Sequence, residues 1–180
     1  MGRSEDHIRR NPPGTAAPEY WRYARHLDSL AAVTGGTGRT GGAQGADEAA
    51  EAAAEAAAVA AVLRDPDPVM AESAVVTHLD RRAAGLPADA GFPAWAQAMG
   101  AALAGRTFAA RRLREWVLLK SIDRGEPWSA EDLTTASDWC QRTAAGSLTS
   151  DEALRLLAAT ARTRSVRNTA ARRLLRRAAL

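Results

Sequence analysis

Cysteine occurs once in this 180-residue chain, at Cys140. A lone thiol closes no intramolecular disulfide, which fits a reducing compartment. Lysine is equally scarce: Lys120 is the only one, and every other basic side chain apart from the three histidines is arginine. With three histidines and one cysteine there is little to build a metal site from. β-branched and aromatic residues are sparse, so strands are poorly supported. No apolar run approaches the ~20 residues of a membrane span. Met1 to Arg10 is charged and has no apolar stretch of the secretory kind. Met1-Gly2 opens like a myristoylation signal, but Asp6 stands where serine or threonine is required. These absences exclude membrane-spanning, disulfide-stapled and strand-rich classes, and the expected location is the cytoplasm.

Alanine dominates what is present, at about a quarter of the chain. It is the best helix former because it has no side-chain entropy to lose. An all-α fold follows, in a chain long enough for one domain with a substantial core. The alanine excess and the use of arginine for lysine match a chain from a high-GC bacterial genome, so part of the composition reflects codon bias. The formal net charge is only +3, but it is unevenly spread. Asp47, Glu48, Glu51 and Glu55 crowd residues 47–55 without a base, whereas residues 161–180 hold seven arginines and no acid.

Punctuation by glycine and proline divides the chain. Residues 1–17, with Pro12, Pro13 and Gly14, read as a flexible N-terminal tail. Residues 18–34 read as a helix opened by Pro18 and anchored by aromatics. Residues 35–46 read as a glycine-rich linker, and 47–180 as a helical domain. Within it, helices are expected over about 47–64, 68–84, 92–103, 106–124, 130–145, 149–161 and 165 to the end, which with the 18–34 helix makes about eight in all. Trp116-Val117-Leu118-Leu119 makes 106–124, apolar on most sides, the expected buried centre. Ser129 with Asp132 and Thr149 with Glu152 read as capping boxes, and Gly146 as a helix stop.

One turn-and-helix pattern occurs twice. Asp65-Pro66-Asp67-Pro68-Val69-Met70 leads into a helical run with Ala74 and Leu79; Arg164-Ser165-Val166-Arg167 leads into Ala170 and Leu174. In each, an apolar residue near the helix start is followed four positions later by alanine. Both resemble the inter-helix turn and second helix of a HEAT-type repeat, a helical hairpin that stacks into solenoids. The hairpin between them, about 92–124, lacks the Asp-Pro turn, and Ala71 stands where the family usually carries arginine. The resemblance implies a stack of helical hairpins offering a surface to partners; an irregular helical bundle is the alternative. A non-enzymatic protein-interaction or adaptor module is therefore the leading functional expectation.

The arginine-rich C-terminus is the first candidate surface. At about 100° per residue, Val166, Ala170, Ala171, Leu174, Leu175 and Ala178 fall in one half of the last helix. Arg172, Arg173, Arg176 and Arg177 fall opposite, and Arg162, Arg164 and Arg167 add charge at its start. Guanidinium groups take carboxylate and phosphate bidentately, so this face suits an acidic protein partner, nucleic acid or a membrane surface. It equally suits a solvated cap at the end of a stack. Trp21, flanked by Tyr20 and Tyr23 and followed by the glycine linker, is the aromatic cluster expected to meet a partner. Self-association through the acidic and basic ends is a further expectation.

Other patterns carry less. Gly36, Gly38 and Gly41 spell a dinucleotide-type glycine run, but no strand precedes it and acids follow, so it reads as linker. His26-Leu27-Asp28 and His78-Leu79-Asp80 place their polar pairs on different helix faces and read as surface or helix-end residues. Asp138-Trp139-Cys140, with Trp128 nearby, is similar in residue type to the aspartate-and-aromatic site of HEAT-like alkylpurine DNA glycosylases, which makes an enzyme of that kind the remote alternative. The preferred reading puts Asp138 on the solvent side and Trp139 in the core. Cys140 has no histidine near it in sequence and reads as no nucleophile. No catalytic residue, cofactor or metal ligand is assigned.

Overall fold

The computed structural model of the protein describes residues 19–34, 44–87 and 91–179, with the side chains of residues 19, 20 and 44–46 outside that description. The expected N-terminal tail, Pro18 and linker residues 35–43 lie outside the described residues. All regular structure among the described residues is helical. In chain order the helices are α1 Glu19–Thr34, α2 Gln44–Val62, α3 Pro68–Gly85, α4 Phe92–Ala102, α5 Thr107–Asp123, α6 Ala130–Thr135, α7 Asp138–Ser147, α8 Asp151–Thr160 and α9 Arg164–Ala178. None is long and apolar enough to cross a membrane.

The turns explain the helix ends. Asp67 caps α3, its carboxylate accepting from the Val69 and Met70 N–H groups, while Pro68 fills a first-turn position that needs no donor. Ser129 caps α6 as the sequence suggests, accepting from Asp132 N–H. The expected helix over 130–145 is instead two helices. Ala136 turns extended and Ser137 caps α7 by accepting from Cys140 N–H. Gly146 stops nothing; it lies inside α7, and the chain leaves the helix at Leu148. Ser150, not Thr149, caps α8, accepting from Ala153 N–H. α2 starts at Gln44, so the last three residues assigned to the glycine linker are helical.

The helices stack in two rows. α1, α3, α5, α7 and α9 pack each against the next, forming one continuous layer. The other row is interrupted: α2 packs on α4 and α6 on α8, and no comparable packing joins α4 to α6 among the described residues. The core is divided to match. One apolar cluster gathers Leu30, Val59, Val75, Leu79, Trp95, Met99 and Leu113 from α1 to α5. A second gathers Leu119, Ile122, Leu133, Cys140, Leu154, Leu157 and Val166 from α5 to α9. Trp116 touches both.

α5 is central, but it is not buried on most sides. Ala109 and Leu113 turn toward the first cluster, Leu119 and Ile122 toward the second, and Val117 is 40 % exposed. Two buried directions come from one helix serving two cores, and the direction between α4 and α6 is left uncovered.

Two polar networks brace the stack, and neither was read from the sequence. Glu55 of α2 is 2 % exposed. It accepts from His78 Nε2 at 2.7 Å, Trp95 Nε1 at 2.9 Å and Arg82 Nε at 3.1 Å. His78 is therefore a buried member of a network joining α2, α3 and α4, not a surface residue. At the junction of the two cores, Asp80 receives Arg112 at 2.5 Å and Trp116 Nε1 at 2.8 Å. The Arg112 guanidinium lies 3.7 Å over the Trp139 ring, and Trp116 meets that ring edge-on. Trp139 is thus half-buried, packed against the second core and a platform for a cation.

Candidate functional site

The interruption between α4 and α6 opens a groove whose floor is the outward face of α5. Arg111, Arg114, Val117, Leu118 and Ser121 share that face at helical spacing, opposite the nearly buried Arg112. Three adjoining clefts make up the groove. The first, of about 410 Å³, runs from Arg114 and Leu118 to Ser121, Trp128 and Asp132. The second, of about 500 Å³, extends from Val117 and Ser121 to Phe92, Pro93 and Gln97 of α4. The third, also about 500 Å³, lies between Arg111, Arg114 and Leu118 of α5, the α6–α7 corner, and Arg162. Shared residues join them: Val117 and Ser121 the first pair, Arg114, Leu118 and Asp132 the other.

The third cleft is the polar end. Its wall is fixed by Glu115, 6 % exposed, whose Oε1 accepts from the Ser137 N–H at 2.9 Å and so pins the α6–α7 corner to α5. Arg112 Nε stands 3.7 Å from the second Glu115 oxygen. Gln141, wholly buried, fixes the other side. Its amide donates to the Leu133 and Thr134 carbonyls at the end of α6 and accepts the Arg162 N–H at 3.0 Å. Asp138 Oδ2 pairs with Arg142 one turn along α7. None of the Arg111, Arg114 and Arg162 guanidiniums makes an ion pair among the described residues: Arg111 lies over the Phe108 ring, and Arg162 reaches the Ala136 carbonyl at 3.4 Å.

The seven C-terminal arginines are not brought together. Arg173 and Arg177 fall on the same line of α9 as buried Val166 and Ala170, not opposite it. Arg173 donates to the Ala145 carbonyl at 3.0 Å, answering the open carbonyls that end α7. Arg177 reaches the Thr149 carbonyl and Asp151. Arg167 folds back onto the Ala161 carbonyl at 2.6 Å, where α8 ends. Arg164, Arg172 and Arg176 are exposed, with Arg172 leaning on the Asn168 carbonyl of its own helix. Arg162 alone of the seven joins the groove. Leu175, expected on the covered half, is 71 % exposed. The expected two faces of α9 are thus corrected: its buried line continues past Ala170 into Arg173 and Arg177, which bond backbone carbonyls and, for Arg177, Asp151.

Around α1, Tyr23 hydrogen-bonds Thr77 at 2.9 Å and holds α1 on α3, whereas Trp21 is 59 % exposed. The Tyr20 side chain lies outside the described residues. Asp65 of the Asp-Pro turn receives Arg22 of α1, and His26 Nε2 of the same helix stands 3.2 Å from its other oxygen. The Asp67 N–H donating to its carboxylate holds Asp65 below the ordinary range.

The chemical candidates resolve as follows. Cys140 is fully buried, and burial, with the Glu115 charge adding, pushes its thiol up to about 12. A thiol so placed holds its proton and attacks nothing. Asp138 lines the third cleft, but no aromatic ring lines that cleft with it. No three of His, Cys, Asp and Glu converge as a metal site among the described residues. The residues that the sequence reading missed are Arg111, Arg114, Val117, Leu118 and Ser121. Their signal was the 111-114-118-121 spacing, one stripe of a helix that the apolar run around it had concealed. Compared with protein-family models, with curated proteins and with solved structures, the chain finds no match.

Proposed function

We propose that this chain is a non-enzymatic interaction module, a stack of helical hairpins of HEAT-like kind that holds a segment of a partner protein. The observation that supports this most is the groove along α5, left open where the second helix row is interrupted. Its middle is apolar, with exposed Val117 and half-buried Leu118 and Trp128. One end carries three guanidiniums without ion pairs. An acidic segment with apolar side chains fits that sequence of surfaces: the apolar floor supplies burial, and the arginines supply register and on-rate.

The alternative reading, nucleic-acid binding through α9, draws support mainly from exposed Arg164, Arg172 and Arg176, since Arg167, Arg173 and Arg177 are tied to carbonyls of other segments and Arg172 only to its own helix. Affinity capture from native lysate, with and without nuclease, separates the two. The variants are Val117→Glu in the groove and Arg172→Glu with Arg176→Glu on α9. The proposal expects a protein partner recovered despite nuclease, lost with Val117→Glu and retained with the α9 pair. Nuclease-sensitive recovery of nucleic acid, lost with the α9 pair and indifferent to Val117→Glu, would replace this reading with the other.

A further inference from the structure

We propose that the Arg111–Arg114–Arg162 end of the groove is a clamp for a phosphorylated side chain of the bound segment. The inference rests on the reading of the groove as a partner-binding face and adds the chemistry of what it reads. Arg111, Arg114 and Arg162 line one cleft of about 500 Å³, and Arg114 continues into the next. A row of carboxylates matches basic residues distributed along its length. A single dianionic phosphate, about −1.5 to −2 at neutral pH with three strong acceptor oxygens, matches three arginines lining one cleft.

The opposing carboxylates are partly engaged. Glu115 is occupied by the Ser137 N–H and stands beside Arg112; Asp138 Oδ2 is paired with Arg142, while its buried Oδ1 has no partner. Asp132 is left as the one carboxylate of the cleft without a cation partner, against three guanidiniums. The cleft is also prepared before any ligand arrives. Arg111 and Arg114 sit one turn apart on α5, which is held by both cores. The backbone of Arg162 is fixed by buried Gln141, itself bonded to the end of α6. The backbone needs little ordering on binding, so the cost left is that of the three exposed side chains. Arginine rather than lysine at all three points gives planar, bidentate donors instead of mobile point charges.

The test uses the full chain and three fluorescent pools of short peptides with degenerate apolar flanks, centred on phosphoserine, glutamate or serine. Binding is followed by anisotropy. The phosphoserine pool binds roughly tenfold or more tightly than the glutamate pool. In Arg111→Gln with Arg162→Gln that preference disappears while the serine pool is unaffected, and Val117→Asp weakens all three pools alike. Circular dichroism confirms that these exposed substitutions leave the helices folded. Equal binding of the phosphoserine and glutamate pools overturns the clamp, as does a preference that survives loss of both arginines. If all pools bind equally and Val117→Asp abolishes it, the clamp falls while the groove stands. Binding by no pool also overturns the clamp, and crosslinking at position 117 then decides the groove on its own.

Discussion

Glu55 shows how much one residue can carry in a small-residue interior. Alanine cannot fill the space between α2, α3 and α4, and a carboxylate there is tolerable only because His78, Trp95 and Arg82 all donate to it. Because an ionised carboxylate only accepts, the proton of the His78 bond sits on Nε2. Burial by itself raises Glu55, but the bonds from His78, Trp95 and Arg82 outweigh it and hold the carboxyl below the ordinary 4.5. Glu55→Ala leaves three donors without an acceptor and costs on the order of 3 kcal/mol, measured by urea unfolding. The pH dependence follows in sign. A carboxyl whose folded pKa is depressed contributes stability that is present above its unfolded value and lost as pH falls through the folded one. The stability gap between wild type and Glu55→Gln is therefore full near neutrality and narrows only below about pH 4.5. A gap that stays constant into that acid range would mean the carboxylate's charge does not stabilise the fold. The sequence did hold a clue: Ala52, Glu55, Val59 and Val62 keep one helical stripe, so Glu55 stands on the buried line of α2. The acidic neighbours Asp47, Glu48 and Glu51 disguised it as one more solvated charge.

At the scale of the element, caps decide where the helices begin, and one of them shapes the groove. Ser137 interrupts what the pattern presents as a single helix over 130–145. Its hydroxyl accepts from Cys140 N–H, and its own N–H goes to Glu115. A serine inside a helical run is usually tolerated without ending it, so nothing local distinguished Ser137 from Thr143 or Ser147. The decisive partner, Glu115, lies on another helix and is invisible to local pattern. Ser137→Ala removes the cap and costs about 1 kcal/mol in thermal or urea unfolding. A loss well under half of that would mean Glu115, not the hydroxyl, breaks the helix. The same logic accounts for α9. Its apolar period was legible through Val166 and Ala170, but Arg173 and Arg177 extend the buried line because the carbonyls ending α7 and the turn into α8 lie there to receive them. Helix-end carbonyls need donors, and a long arginine on the buried face serves as well as a glycine turn.

At the scale of the whole molecule, the all-α class and most helix positions could be read from alanine content, proline and glycine punctuation and the Ser129 cap. The arrangement of the two rows could not, because it depends on which helices meet, and periodicity does not carry that information. The functional reading depends on that arrangement. A continuous second row would cover Val117 and Leu118; its interruption between α4 and α6 leaves them open and brings Arg162 from the α8–α9 turn to the same groove as Arg111 and Arg114. The claim that this groove, and not the arginine-rich helix or exposed Trp21, meets the partner is tested most directly by site-specific photocrosslinking in the native cell. A benzophenone side chain is placed at Val117, at Leu175 on α9 and at Trp21 on α1, all exposed positions. The account predicts one discrete protein adduct from position 117, reduced by Arg111→Gln with Arg162→Gln, and none of that mass from positions 21 and 175. An adduct confined to position 175 or 21, with position 117 silent, would contradict it.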